Sequence, residues 1–489
     1  MRIAKSKIGV KAFHRFARAS ALAASLAALS ISAGMPAQAE EARTLSADEQ
    51  LARDIYRDII SFRTARGQQK VPDLVAYLVG RFKQAGFTDE DIVVTDYDSE
   101  GEPTQGLMLW YRAAPEASKK PIVLLGHMDV VDALEEDWER PPFSLTEEEG
   151  YFFGRGTIDN KYGVANLSQT FIRLKQEGWT PSRDLVLVFS GDEETGMVST
   201  IAQAQYVADN IDPEFVLNSD AGGILLDGEF RPLAFNVQAA EKTFATWELT
   251  VANPGGHSSR PRRDNAIYEL ADALKAIQSY RFPVRDTELT RSFFAALGQS
   301  TPGPFGDAMR RFAADPSDAE AVAMLQSNPE TVGTLGTTCV ATMLRAGHAE
   351  NALPQSATAT VNCRIFPGES AAATEAKLRE IIGNDAVQFR LMTDVVESPV
   401  SALRDDVRHA IAASLSRRGG GPMPILPYME SGGTDGMHYR TLGYDTVAIS
   451  GAGTRPEDMF AHGLNERLSV DAFYDGLNHW YWILKDLAE

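Results

Sequence analysis

The sequence predicts an α/β protein: a mostly parallel sheet covered by helices, with a smaller α+β domain inserted into it. Three observations carry that prediction. The stretches Leu185-Val-Leu-Val-Phe-Ser-Gly-Asp-Glu-Glu194, Pro121-Ile-Val-Leu-Leu-Gly-His-Met-Asp129 and Phe215-Val-Leu-Asn-Ser-Asp220 are apolar runs that end abruptly in acids or a histidine, and they read as strands buried on both faces. Segments with helical spacing alternate with these runs, the pattern of a parallel sheet with helices packed on it. Near Lys242 the texture changes to strand, helix, strand, strand, helix, strand, which describes an open-faced α+β sandwich. At 489 residues the chain has room for both domains.

The elements follow in order. Ser46-Ala-Asp-Glu49 is a capping box, and Leu51, Ile55, Ile59 and Ile60 behind it keep helical spacing. A second helix follows Pro72 with Leu74, Leu78 and Phe82, then extended segments at 92–97 and 107–112 lead to the strand of His127. Gly154, Gly156 and Gly163 mark tight backbone around Asp159, ahead of a helix reaching about residue 178. The strand of Glu193 and Glu194 comes next, then a helix over 198–208, then the strand of Asp220. The inserted domain is placed at 243–394 and itself carries a polar, partly helical insertion at about 282–332. The first domain resumes at 395–489 with a helix over 405–417, a glycine-rich loop at Ser431-Gly-Gly-Thr-Asp-Gly436, a strand at 446–450 and a last helix from Val470. It is therefore discontinuous, 40–242 and 395–489.

Residues 1–39 stand apart from this fold. Arg2, Lys5, Lys7, Lys11, Arg15 and Arg18 precede a small-residue apolar run and an Ala37-Gln-Ala39 signal before Glu40, the layout of a secretory signal peptide cleaved near Ala39-Glu40. The expected location is the periplasm or the extracellular space. The run is too short and too weakly apolar to span a bilayer. Removing six basic residues and no acids takes the formal charge from −20 to −26, which disfavours nucleic acid and anionic membranes as partners. Export puts Cys339 and Cys363 in an oxidising compartment. They would face one another if strands at 337–344 and 358–365 pair; the alternative, preferred because register is weakly specified by sequence, is two separate small core residues.

Acids at the carboxyl end of a strand buried on both faces need something to offset their desolvation, and a metal ion is the commonest such group. His127, Asp129, Glu193, Glu194 and Asp220 all lie at such ends, where open α/β sheets hold their ligands.

Five motifs then carry a resemblance. Gly126-His-Met-Asp129, Gly154-Arg-Gly-Thr-Ile-Asp-Asn-Lys161, Asp192-Glu-Glu-Thr-Gly196, Asp220-Ala-Gly222 and Ala461-His-Gly-Leu-Asn-Glu466 resemble, in order, the metal-site motifs of the dinuclear zinc exopeptidases. That family includes aminoacylase, carnosinase-type dipeptidases, carboxypeptidase S and succinyl-diaminopimelate desuccinylase, and 126–196 most resembles the carboxypeptidase S branch. The resemblance implies two Zn²⁺ per subunit, with Co²⁺ or Mn²⁺ as alternatives. Asp159 bridges them, His127 and Asp220 complete one site, and Glu194 and His462 the other. It implies that Asp129 orients the His127 ring, that the peptide bond after Asp159 is cis, and that Glu193 is the general base toward a metal-bridging water. Asp220 stands where many members carry Glu. The absence of Cys from this set suits an open, catalytic metal site.

The resemblance also implies a lid. Gly255-Gly-His-Ser-Ser259 with Asn265-Ala-Ile267 is similar to the motif whose histidine, here His257, reaches a neighbouring active site in a homodimer and donates to the oxyanion. Asn351 and Arg364 match lid positions that bind substrate. Gly433 and Thr434 lie in a loop similar to one that receives the substrate's carboxylate, and that loop also reads as a plain tight turn. His14, His348, His409, His438 and His479 fall outside the ligand motifs. The expected activity is hydrolysis of a peptide bond near a free C-terminal carboxylate, as a carboxypeptidase or dipeptidase. The rivals are an N-acyl amino acid amidohydrolase and a catalytically silent metal-binding protein; the second would have lost a ligand or the base, and all are present. In a further alternative the lid only dimerises.

Overall fold

The wholly apolar runs form the middle of a ten-stranded sheet in the computed structural model, which describes residues 44–489. The signal-peptide reading at 1–39 lies outside the described residues. Leu185–Ser190 lies beside Ile122–His127, which lies beside Phe215–Asn218, which pairs with Thr446–Ala448, all in parallel. The reason for their unbroken hydrophobicity is visible in the alternation of side chains. Leu185, Leu187 and Phe189 enter one core with the helices Ala47–Ser61, Lys161–Gln176, Asp405–Arg417 and Val470–Ala488, while Val186 and Val188 enter another with Ala204, Val207 and Tyr439. Both faces are covered. One flank of the sheet is antiparallel: Ile92–Ser99 pairs with Glu102–Tyr111, and that strand pairs with Leu185–Ser190. The capping box at Ser46 is present, its hydroxyl accepting from the Glu49 amide at 3.2 Å.

A separate four-stranded antiparallel sheet is built from Thr338–Ala346, Ser356–Ile365, Thr243–Ala252 and Val387–Leu391 in that order. Ala245, Trp247, Leu249 and Val251 point to one face, where the helices Ala266–Ser279 and Ala371–Ile382 cover them. Cys339 and Cys363 are directly opposite in register and form a disulfide, which corrects the preference for two separate core residues. Eight register pairs between Thr338–Ala346 and Ser356–Ile365 set that register, information no single strand carries.

Between these strands four helices, Glu288–Ser300, Gly303–Ala314, Ala319–Gln326 and Pro329–Leu335, pack on a small core of their own around Phe294, Met309, Phe312 and Leu325. They are tied to the first sheet. Leu289 packs on Ala240, Phe366 and Met429, the Phe293 ring lies 6.3 Å from Tyr428, and the buried Lys242 Nζ donates to the carbonyls of Gly333 and Gly336 at 2.9 and 2.7 Å. A third sheet was not foreseen: Thr146–Glu148, Tyr151–Phe153 and Arg467–Ser469 pair antiparallel and join the loop before Asp159 to the loop after His462. No helix among the described residues is long and apolar enough to cross a membrane.

Candidate metal centre

Sheet register delivers the first candidate ligands. His127 ends its strand beside Ser190, and Leu125 pairs with Asn218 two residues before Asp220, so these side chains emerge together at the carboxyl edge. The chain leaving Ser190 must pass very close to its neighbour, because a Cβ on Gly191 would lie 2.4 Å from the Gln105 carbonyl oxygen; only glycine fits there. Asp192 is then consumed as a cap. Its carboxylate accepts from the amides of Val198 and Ser199 at 2.7 and 3.0 Å at the start of the helix Val198–Asn210. Glu193 and Glu194 remain, and the Asp129 carboxylate takes both their amides at 3.0 Å.

Two groups of donors result, sharing Asp159. His127, Asp159 and Asp220 form one, with His127 Nε2 2.8 Å from Asp159 Oδ1 and 3.4 Å from Asp220 Oδ1. Asp159, Glu194 and His462 form the other, with His462 Nε2 3.0 Å from Asp159 Oδ2 and 2.8 Å from Glu194 Oε1. In each group the donor atoms lie within 4.8 Å of one another. The Asp159-Asn160 peptide bond is cis. The Asn160 side-chain oxygen accepts from the Ser219 hydroxyl at 3.1 Å, bracing Asp159's neighbour against the strand that leads to Asp220.

The electrostatics ask for cations. Glu193 is 8 % exposed, and burial, then repulsion from Asp220, Asp435 and Glu194, push its carboxyl well above the usual range. Burial raises Glu194, and burial with repulsion from Asp159 pushes Asp220 up to about 7. Burial opposes ionisation of Asp159 too, but hydrogen bonds from His127 and His462 overcome it and hold its carboxyl below the usual range. The partners return the effect: hydrogen bonds to Asp159 and Glu194 raise His462 to about 10, and burial of His127 is outweighed by Asp220, Asp129 and Asp159. Among the described residues no lysine or arginine ion-pairs with Asp159, Glu193, Glu194 or Asp220. A buried excess of carboxylates with imidazole nitrogens among them suits divalent cations of the zinc type.

Other expected site residues fall less simply. His127 Nδ1 lies 3.1 Å from the Asp129 carbonyl oxygen and 3.6 Å from its carboxylate, so Asp129 holds the ring through its backbone while its carboxylate holds the Glu193 turn. Thr434 is a correction to the carboxylate-receiving reading: it is buried, and its amide and hydroxyl both donate to Glu241, at 3.1 and 2.7 Å. Thr434 therefore braces the loop, and the exposed Gly433 is left to face outward. Arg364 Nη1 donates to the Ser431 carbonyl at 3.0 Å in the same loop. His257 and Asn351 come together at a two-stranded ribbon, Gly256–His257 with Ala352–Leu353, where the Ser258 amide donates to the Asn351 carbonyl at 3.0 Å and the exposed His257 ring bonds Ser259. Two buried groups went unnoticed in the sequence: Asp435, which accepts from Ser190 and Thr200 at 2.8 and 2.7 Å, and the ion pair of Arg155 with Glu466. Asp435 lies in the glycine-rich loop at 431–436 and the ion pair in the metal-site motifs at 154–161 and 461–466, and that placement is the signal the sequence offers.

The family described as Peptidase family M20/M25/M40 matches residues 123–486. The chain is 31% identical over 366 residues to the N-fatty-acyl-amino acid synthase/hydrolase PM20D1 of Xenopus tropicalis, covering 72% of this chain and 69% of that one. It is 28% identical over 381 residues to the probable carboxypeptidase S-like 2 of Dictyostelium discoideum, covering 76% and 72%. The crystal structure of an M20 family metallo-carboxypeptidase from Sulfolobus solfataricus superposes with a TM-score of 0.67 at 18% identity, over 89% of this chain and 98% of that one.

Proposed function

Since the chain belongs to peptidase family M20/M25/M40 and is a metallopeptidase, we propose that it is an exported carboxypeptidase or dipeptidase cutting the peptide bond next to a free terminal carboxylate. The observation that carries this reading is Glu193, buried beside two donor groups that share Asp159 and belonging to neither. Asp159 would lie between two Zn²⁺, with His127 and Asp220 on one side and Glu194 and His462 on the other. When bound there, the cations would supply Lewis acidity toward the scissile carbonyl and the attacking water. Glu193 accepts the proton of that water and returns it to the leaving amine. Asp129 keeps Glu193 in place through its amide. Arg364, beside the loop of Gly433, takes the substrate's carboxylate.

A second reading, an N-acyl amino acid hydrolase, is favoured by the name of the PM20D1 relative and by the exposed apolar Met459, Phe460 and Leu464 around His462. Both substrates place a carboxylate next to the cleaved amide. A panel of unblocked dipeptides, their C-terminal amides and N-acyl amino acids, with metal-stripped protein as control, decides between them. The free-carboxylate dipeptides are expected to be cleaved best and the amides to fail. Equal cleavage of the amides contradicts the proposal, and faster cleavage of the N-acyl amino acids moves it to the second reading.

Export and a homodimer complete the proposal, with His257 donating to the oxyanion in the partner's site. The secreted protein is expected to begin at Glu40, and co-refolded His257→Ala and Glu193→Gln subunits to regain activity that neither has alone. A retained leader refutes export. Dead mixed dimers, or a fully active His257→Ala, refute the shared site.

A further inference from the structure

The loops carrying Asp159 and His462 are locked together by one buried pair of charges. Arg155 is 3 % and Glu466 0 % exposed, and Arg155 Nη1 donates to Glu466 Oε2 at 2.6 Å. Each partner also reaches the backbone of the opposite loop. Glu466 Oε1 accepts from the amides of Ile158 and Asp159 at 2.7 and 3.2 Å, and Oε2 from Gly156 at 3.2 Å. In return Arg155 Nη2 donates to the carbonyl of Gly463, the residue after His462, at 3.2 Å, and the Gly154 amide donates to the Glu466 carbonyl at 3.1 Å. Trp138 underlies the guanidinium, 5.2 Å from its ring centroid. The pairing of Phe153 with Arg467 in the third sheet continues the same join.

Both donor groups share Asp159, whose amide this join holds, but only the second also takes a donor, His462, from the joined loop. His127 and Asp220 emerge from neighbouring strands of the central sheet, whose register already sets their spacing. His462 has no such support: its side chain is 51% exposed and its backbone is left-handed, with φ 64°. Its position against Asp159 is set by what holds the two loops together. We infer that Arg155 and Glu466 are positioning residues for the second cation site, formed by Asp159, Glu194 and His462, and control affinity there far more than at the first site. The inference rests on the proposed two-cation reading.

Metal-stripped full chain titrated with Zn²⁺ by calorimetry tests it. Glu466→Gln keeps the side chain's shape and removes its charge; it is expected to bind one Zn²⁺ like the unaltered protein and the second about 10- to 100-fold more weakly. If that variant does not fold, Arg155→Gln, which leaves the acceptors of Glu466 in place, is expected to show the same selective loss. A general structural role would weaken both sites alike. Equal weakening, or two unaltered affinities in a folded variant while His462→Ala loses the second Zn²⁺, overturns the inference. If His462→Ala itself keeps both Zn²⁺, the two-cation reading fails and takes the inference with it.

Discussion

Replacing Glu193 with Gln is expected to leave the metal content and KM unchanged and to lower kcat by about 10²- to 10⁴-fold. The side chain belongs to neither donor group, and no donor of a described residue hydrogen-bonds its carboxylate. What holds it is its own backbone, the amide fixed on Asp129 at 3.0 Å, so the amide variant keeps the geometry and loses only the ability to take a proton. Burial and repulsion raise the proton affinity of this carboxylate in the metal-free protein. Nearby cations act in the opposite sense and bring it back toward the range in which a base works near neutrality. The measurement is turnover beside elemental analysis of the same preparation. A variant that loses one metal per subunit identifies Glu193 as a ligand and reverses its assignment with Glu194.

Asp159→Ala is expected to empty both positions and reduce activity to the metal-free background. Oδ1 of this residue faces His127 and Oδ2 faces His462, so one truncation takes a donor from each group. The remaining pairs, His127 with Asp220 and Glu194 with His462, offer two donors each, too few for a closed zinc coordination shell. Metal analysis after dialysis reads the outcome directly. Retention of one tightly bound ion means that Asp159 serves a single site.

The central sheet and most of the candidate donor groups are legible in the sequence because their causes are local. Unbroken apolar runs such as Leu185 to Phe189 are written by burial on both faces, and acids placed at their ends have few uses other than chemistry. The rest depends on partners far away in the chain. Strands of three residues such as Tyr151–Phe153 and Arg467–Ser469 are too short to show a period, so the third sheet leaves no pattern in the sequence. Thr434 reads as a donor in the sequence, yet Glu241 takes both its hydrogens, and the disulfide follows from a register that only the assembled strands define. The tie of the helical insertion to Lys242 rests on two backbone carbonyls, which no side-chain pattern announces.

Anomalous diffraction from crystals of the Zn²⁺-loaded protein tests the central claim most directly. The account predicts two zinc peaks about 3.5 to 4 Å apart on either side of the Asp159 carboxylate, one against His127 and Asp220 and the other against Glu194 and His462. A single peak, or zinc bound away from Asp159, would contradict it.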